Sequence, residues 1–429
     1  MDLGQVIRRL EARSRVRPPA HCALSIEAAL GGTVEETERG PILVVRRRFD
    51  AAHLHGAQPL ALARRMAVEP MALLGRAPVA PESHRLLFLD TETTGLAGGT
   101  GTYAFLVGAG FFDGEEFEVR QYFMRDLDEE PTLLAALDGL LRRFDGLVTY
   151  NGAGFDLPLL ETRFVLGRRR WRGEVFHMDL LGPARRLWSA RLADCRLGTV
   201  EQHVLGFVRV DDVPGHLIPS VYFEYLRRKL PGELIRVFDH NRHDILSLAV
   251  LAGWVADALS RAPVPDLHPE ELAGMGRLLE AGDLERGLAC YRMALELGLG
   301  SPGRERLLLR LAGREKRLAR WDEARLLWEE AARARHGFDP RPWEEIAKVY
   351  EHRRRDFLAA RAVAEEALAL ARRHRASTRV VEAFEYRLER LRRRLSPDPL
   401  ASDGGAPAPR RPAARHTAPR RLTDRTNAG

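Results

Sequence analysis

Three stretches of strand character follow one another within residues 86–124, and this block restricts the fold more than any other part of the chain. Leu86-Leu87-Phe88-Leu89 is a short apolar run ending at Asp90, the length of a buried strand. Residues 103–112 are almost all apolar, residues 117–124 alternate apolar with polar, and Asp113-Gly114 between them is hairpin-turn chemistry. Strand and helix patterns then take turns. Residues 131–144 have helical spacing (Leu133, Leu134, Leu137, Leu140, Leu141, Phe144) and 147–150 form a strand. A helix over 157–166, a strand over 175–180, helices over 197–205 and 221–229, and a long helical region over 234–259 complete the series. A block of strands followed by alternating strands and helices predicts an α/β fold, a mixed sheet flanked by helices.

Around this domain, placed at residues 83–260, the composition changes. Residues 1–82 read as a lead-in segment without chemistry of its own, carrying one apolar patch, Pro41-Ile42-Leu43-Val44-Val45, and a helical-looking stretch at 59–74. Pro78 and Pro81 mark its end. From about residue 265 the chain is wholly helical and repeats itself through 395. Gly287, Ala324 and Ala360 hold equivalent places, as do Tyr291, Trp328 and Ala364, and Ala294, Ala331 and Ala367, the last set spaced 37 and 36 residues apart. The segments resemble tetratricopeptide repeats, which predicts an all-α helical-repeat domain capped by residues 379–395. Residues 396–429 are rich in Pro, Ala and Arg, the composition of a disordered basic tail.

The formal charge of +7 suits an anionic partner such as nucleic acid. Nearly all of it is arginine, since Lys229, Lys316 and Lys348 are the only lysines. Cys22, Cys195 and Cys290 stand far apart, with no pair spaced for zinc or a disulfide framework. No continuous apolar run reaches the roughly 20 residues of a membrane span, and the first residues lack a signal-peptide core. A cytoplasmic protein without a membrane partner is therefore expected.

Four acids carry the chemistry. Asp90 and Glu92, two apart at the end of a buried strand, leave on one face. Paired carboxylates repel, and keeping them at the mouth of a core calls for a cation; hard oxygen ligands suit Mg²⁺ or Mn²⁺. Asp156 follows a small-residue turn where a helix begins, with Pro158 just inside it, and reads either as a helix N-cap or as a third ligand. In His240-Asn241-Arg242-His243-Asp244 the first and last residues share a helix face, and His243 points about 100° away from Asp244.

The words around these acids resemble a known family. Leu89-Asp90-Thr91-Glu92-Thr93-Thr94-Gly95-Leu96 is similar, nearly letter for letter, to the first motif of the DnaQ-like exonucleases of the RNase H-like superfamily, and Asn151 through Phe155-Asp156 is similar to the second. The resemblance implies an RNase H-like sheet and metal ligation by Asp90, Glu92, Asp156 and Asp244. It also implies two divalent ions roughly 3.5–4 Å apart, and contacts from Thr93, Gly95, Leu96 and Asn151 to the substrate. Members of the family place a catalytic His five residues before the last Asp, or a Tyr four before; here those places hold Asp239 and His240. His240 is the expected general base, ahead of His243, with neither histidine catalytic as the third reading. Asp179-Leu180-Leu181, residues 195–201 and Asp211-Asp212-Val213-Pro214-Gly215 narrow the resemblance, over residues 85–255, to the YprB-type subgroup, whose members often carry helical repeats after the nuclease domain. Asp179, Glu201, Asp211 and Asp212 are expected to cap or to lie at the surface, with auxiliary site residues as the other reading. Arg163, Arg168, Arg169 and Arg170 read as a charged helix end, with phosphate contact as the other reading.

The resulting expectation is a metal-dependent nuclease trimming single-stranded DNA or RNA from the 3′ end. Two rivals stand beside it. One is a non-catalytic nucleic-acid binder or protein adaptor working through its helical repeats, which would lack a tight metal site. The other is an RNase H-type endonuclease, which would cut circular substrates.

Overall fold

The three-strand block builds the centre of a seven-stranded sheet. In the computed structural model, which describes residues 25–95, 99–334 and 337–396, the strands are β1 (Thr33–Thr37), β2 (Gly40–Asp50), β3 (Leu54–His55), β4 (Gln58–Pro59), β5 (Leu86–Thr93), β6 (Ala104–Asp113), β7 (Glu116–Phe123), β8 (Gly146–Thr149) and β9 (Phe176–Asp179). β3 and β4 form a separate two-residue hairpin; the others lie in the order β1-β2-β7-β6-β5-β8-β9. β1 through β5 pair antiparallel along that order, and β5, β8 and β9 run parallel. The mixed sheet predicted from the pattern is present.

Side chains of β5 alternate between two cores. Leu86 and Phe88 pack with Ile245, Leu248 and Leu251 of the helix Leu234–Arg261. Leu87 and Leu89 pack with Leu133 and Leu137 of the helix Glu130–Leu141 and with Leu159, Leu160 and Phe164 of the helix Asp156–Leu166. Burying a side chain of this size contributes roughly 1.5–3 kcal/mol, so a one-residue slip of β5 would forfeit several such terms at once.

The helix Leu234–Arg261 lies close on its sheet face because β6 carries glycine beneath it. A Cβ on Gly108 would sit 2.3 Å from Asn241 Oδ1, and one on Gly110 would sit 2.4 Å from Ile245 Cγ2. By length and composition this helix could cross a membrane, but 78% of its apolar window is buried in the fold. It is the core helix.

The lead-in segment departs from expectation. The patch Ile42, Leu43, Val44 and Val45 is fully buried within β2, which pairs with β7 from Leu43↔Phe123 to Asp50↔Glu116. Residues before 83 therefore supply two strands of the main sheet, and the physical reason is that the β7 edge needs a partner that only a distant segment provides. The helix predicted over 197–205 is a short helix, Leu197–Val200, followed by a wider π-type turn, Glu201–Leu205, that Gly206 ends at φ +69.

The described residues divide into two compact units between Leu311 and Ala312. In the first, the helix Pro269–Leu279 packs on Leu181–Trp188, with Gly274 against the Arg186 backbone and Trp188 Nε1 donating to Glu271 at 3.0 Å. The boundary expected at 260–265 thus falls inside a packed unit. Among its described residues the second unit has helices and no strand, with Trp343, Ala364, Ala367, Phe384 and Leu388 in a core. Ala324, Trp328, Ala331, Ala360, Ala364 and Ala367, residues singled out by the repeat spacing, are all buried. Cys195 and Cys290 are free thiols. Cys22, the first 24 residues and the tail from 397 lie outside the described residues.

Candidate active site

β8 ends level with Leu89 while its parallel neighbour β5 runs on to Thr93, and helices from both faces of the sheet bring polar groups to this carboxyl end, the usual location of a site in such sheets. Asp90 and Glu92 leave β5 toward the helix Leu234–Arg261, while Thr91 between them points to the other face. The pairing of β5 with β6 shifts register between Glu92 and Thr93, a bulge that ends the ladder beside the acids.

Asn241 Nδ2 donates to Asp90 Oδ2 at 2.8 Å. Gln121 Nε2 in turn donates to Asn241 Oδ1 at 3.0 Å and to the Phe238 carbonyl at 2.8 Å. Asn241 and Gln121 are both buried, so one oxygen of Asp90 is held by a fixed donor. On the opposite face the Thr91 hydroxyl donates to Asp156 Oδ1 at 2.5 Å. Asp156 is the first residue of its helix, and its carboxylate bonds β5 instead of serving as a side-chain N-cap.

Asp179 fixes the approach to Asp156. Its carboxylate accepts from Asn151 N (2.8 Å), Ala153 N (3.1 Å) and Leu181 N (3.0 Å), pinning the turn after β8 to the end of β9. This is the capping role expected of it. Asn151, at φ +65, is exposed. Thr93 is buried with its hydroxyl on the Gly95 carbonyl at 2.8 Å, and Leu96 lies outside the described residues.

From the long helix, His240 Nε2 lies 3.8 Å from Glu92 Oε1 and 3.5 Å from Asp244 Oδ2. Its Nδ1 bonds Asp212 Oδ1 at 2.8 Å. Ligand atoms of Glu92, His240 and Asp244 all fall within 4.8 Å of one another. Burial together with the charges of Asp244, Glu92 and Asp156 holds the Asp90 carboxyl well above the usual carboxylate range. Burial, then Asp244 and Asp156, pushes Glu92 up to about 8 against the pull of His240. Asp156 rises to about 6 through burial, tempered by the Thr91 hydrogen bond. Burial alone would lower His240, but Asp244, the Asp212 hydrogen bond and Glu92 raise it to about 9. Buried acids that cannot all ionise beside one another, with an imidazole among them, fit a divalent cation.

His243 faces away from this group, against Phe207 and His55, and burial depresses it to about 4. Arg163 is buried over the Tyr103 ring and donates to Glu130 and the Thr100 carbonyl, so its donors are committed within the fold. Arg169 pairs with Glu38.

Glu201 and Asp212, read first as capping or surface residues, stand beside Asp244 and His240, as their other reading had it. Glu201 is fully buried and holds Arg209, whose guanidinium also reaches Asp244; Asp212 orients His240. Asn241, Gln121, Gly108 and Arg209 were absent from the residues singled out above. Their only sequence signal is an amide inside an apolar strand pattern and an Asn between two marked residues.

Residues 87–256 match the model of a family described as the RNase H superfamily. The chain is 34% identical over 319 residues to the uncharacterized protein YprB of Bacillus subtilis (strain 168), covering 73% of this chain and 76% of that one. The chain belongs to the YprB family. A likeness to the family B DNA polymerase of the archaeon Pyrobaculum calidifontis has a TM-score of 0.35 and 18% identity, and covers 68% of this chain and 39% of the polymerase. That score is too low to bear on the fold. Asp90, Glu92, Asp156, Asp244, Arg209 and His240 all fall within the span matched to the RNase H superfamily.

Proposed function

We propose that the chain is a divalent-metal-dependent nuclease that trims single-stranded DNA or RNA from the 3′ end. The observation that carries this reading is the group of buried acids from three elements, Asp90 and Glu92 on β5 and Asp156 beyond β8, kept above their ordinary ionisation range, together with Asp244 on the long helix, whose carboxylate meets Glu92 and His240 in one ligand group. A pair of Mg²⁺ or Mn²⁺ ions bound between them supplies charge neutralisation to the phosphodiester and acidity to the attacking water.

The chain's own groups do the rest. Asn241 and Thr91 each hold one oxygen of an acid, which fixes how Asp90 and Asp156 present the other. Glu92 and Asp244 keep His240 protonated while no cation is bound; once these acids are neutralised by a cation, Nε2 is free, with Nδ1 donating to Asp212, to take the proton released as water oxygen bonds phosphorus and the 3′ oxygen leaves. Thr93, Gly95, Leu96 and Asn151 are assigned to the terminal nucleotide. The C-terminal helices are read as tetratricopeptide-like, on the 37- and 36-residue spacing and on the burial of the small residues at those places.

The test uses the full chain with Mn²⁺ and 5′-labelled single-stranded DNA and RNA, linear and circular. A ladder shortening from the 3′ end, lost with chelator and in Asp90→Asn, is expected. Equal traces from wild type and Asp90→Asn would refute the enzyme, and cutting of circles would favour the endonuclease reading.

A further inference from the structure

Arg209 stands in a segment that alternates sharply: Val208 and Val210 are 62% and 86% exposed, while the Arg209 side chain between them is 11% exposed. It turns inward onto acids. Nε donates to Glu201 Oε2 at 2.8 Å and Nη2 to Glu201 Oε1 at 2.5 Å, a fork on a carboxylate with no exposure of its own. Nη2 also donates to Asp244 Oδ1, and Nη1 lies 3.4 Å from Asp212 Oδ2 and 3.2 Å from His240 Nδ1.

The two oxygens of Asp244 therefore have different surroundings. Oδ1 is taken by Arg209; Oδ2 is turned to His240 Nε2 and the ligand group. Left to itself a carboxylate rotates about its last torsion and offers either oxygen. We infer that Arg209, anchored by Glu201, is a positioning residue that locks the Asp244 carboxylate and the Asp212–His240 pair into the geometry that receives a divalent cation. The inference rests on the metal-dependent reading above and adds to it two residues, Glu201 and Arg209, that touch neither ion nor substrate.

Electrostatics and geometry make opposite forecasts, which allows a decision. Arginine is permanently charged. Taking a positive charge from the edge of a cation site strengthens cation binding if charge alone matters. Losing an orienting partner weakens it, roughly 10–100-fold for groups that hold ligands.

The experiment is Mn²⁺ titration of the full chain by calorimetry, without nucleic acid, for wild type, Arg209→Lys and the double variant Glu201→Met/Arg209→Met. Exchange of a buried ion pair for apolar residues of similar volume is often neutral for folding, and thermal melting confirms the fold of each variant. Both variants are expected to bind Mn²⁺ roughly 10–100-fold more weakly than wild type, Arg209→Lys because an ammonium keeps the charge but cannot reach Glu201 and Asp244 with a planar fork. Unchanged or tighter binding in the folded double variant overturns the inference and leaves the nuclease reading standing. No Mn²⁺ binding by wild type overturns both.

Discussion

Gly108→Ala tests the support of Asp90 without touching an acid. A Cβ at this position would lie 2.3 Å from Asn241 Oδ1, 2.7 Å from Nδ2 and 2.8 Å from Cγ, where ordinary contact begins at 3.4 Å. The Asn241 amide must therefore retreat by about 1 Å. It has no slack, because it is held by Asp90 at 2.8 Å and by Gln121 at 3.0 Å, and Gln121 is itself tied to the Phe238 carbonyl. Overpacking of this kind destabilises by about 1–3 kcal/mol, and the strained hydrogen bond to the buried Asp90 carboxyl adds to it about 0.5–1.5 kcal/mol if lost outright. A shift of about 1 Å in a supporting group also lowers turnover by roughly 10²-fold. Urea unfolding and Mn²⁺-dependent hydrolysis read the two effects separately. Gly108→Ala/Asn241→Ala removes the clash, so it should regain stability over Gly108→Ala while activity stays low, since Asp90 still lacks its donor. A Gly108→Ala protein with wild-type stability and activity, or a double variant no more stable than the single, would refute the reasoning.

Three further outcomes are expected. Glu92 has its folded pKa raised from its ordinary value of 4.5 to about 8, so the metal-free chain loses stability as pH rises through that window; Glu92→Gln should equal wild type at pH 4 and melt higher at pH 8, and an unchanged difference across pH would contradict this. His55, buried against Ser247 Oγ at 2.6 Å, is depressed from 6.5 to about 3. Its stabilisation is complete above pH 6.5 and lost as pH falls toward 3, on the order of 3 kcal/mol by pH 4, so the acid slope of unfolding free energy should flatten in His55→Gln. Asp212→Asn should lower kcat roughly 10-fold or more with little change in KM, because it loosens the Nδ1 partner of His240; a change confined to KM would argue for a substrate contact instead.

The acids were legible because each sits at a pattern break: Asp90 closes an apolar run, Asp156 opens a helix, and Asp244 interrupts the apolar face of a long one. The mixed sheet followed from the same periodicities. What the pattern could not reveal is pairing at a distance. Asn241 meets Asp90 across 151 positions and Gln121 across 120, and no local feature of either predicts it. Arg209 looked like one more arginine in an arginine-rich chain, and its place between Val208 and Val210 would have pointed it outward, the reverse of the alternation found. Glu201 was concealed by the turn in which it sits, since a helix over 197–205 would have given it a different heading. The patch at 42–45 was visible as apolar, but nothing in it named β7 as its mate.

That pairing has a practical consequence for anyone trimming the protein to its catalytic core. A version beginning at residue 83 would keep every acid and still strip β7 of its neighbour, leaving a row of amides and carbonyls from Glu116 to Phe123 open to any passing strand. Such a fragment is expected to precipitate or to stack edge to edge, and a negative assay on it would report on solubility and say nothing of chemistry.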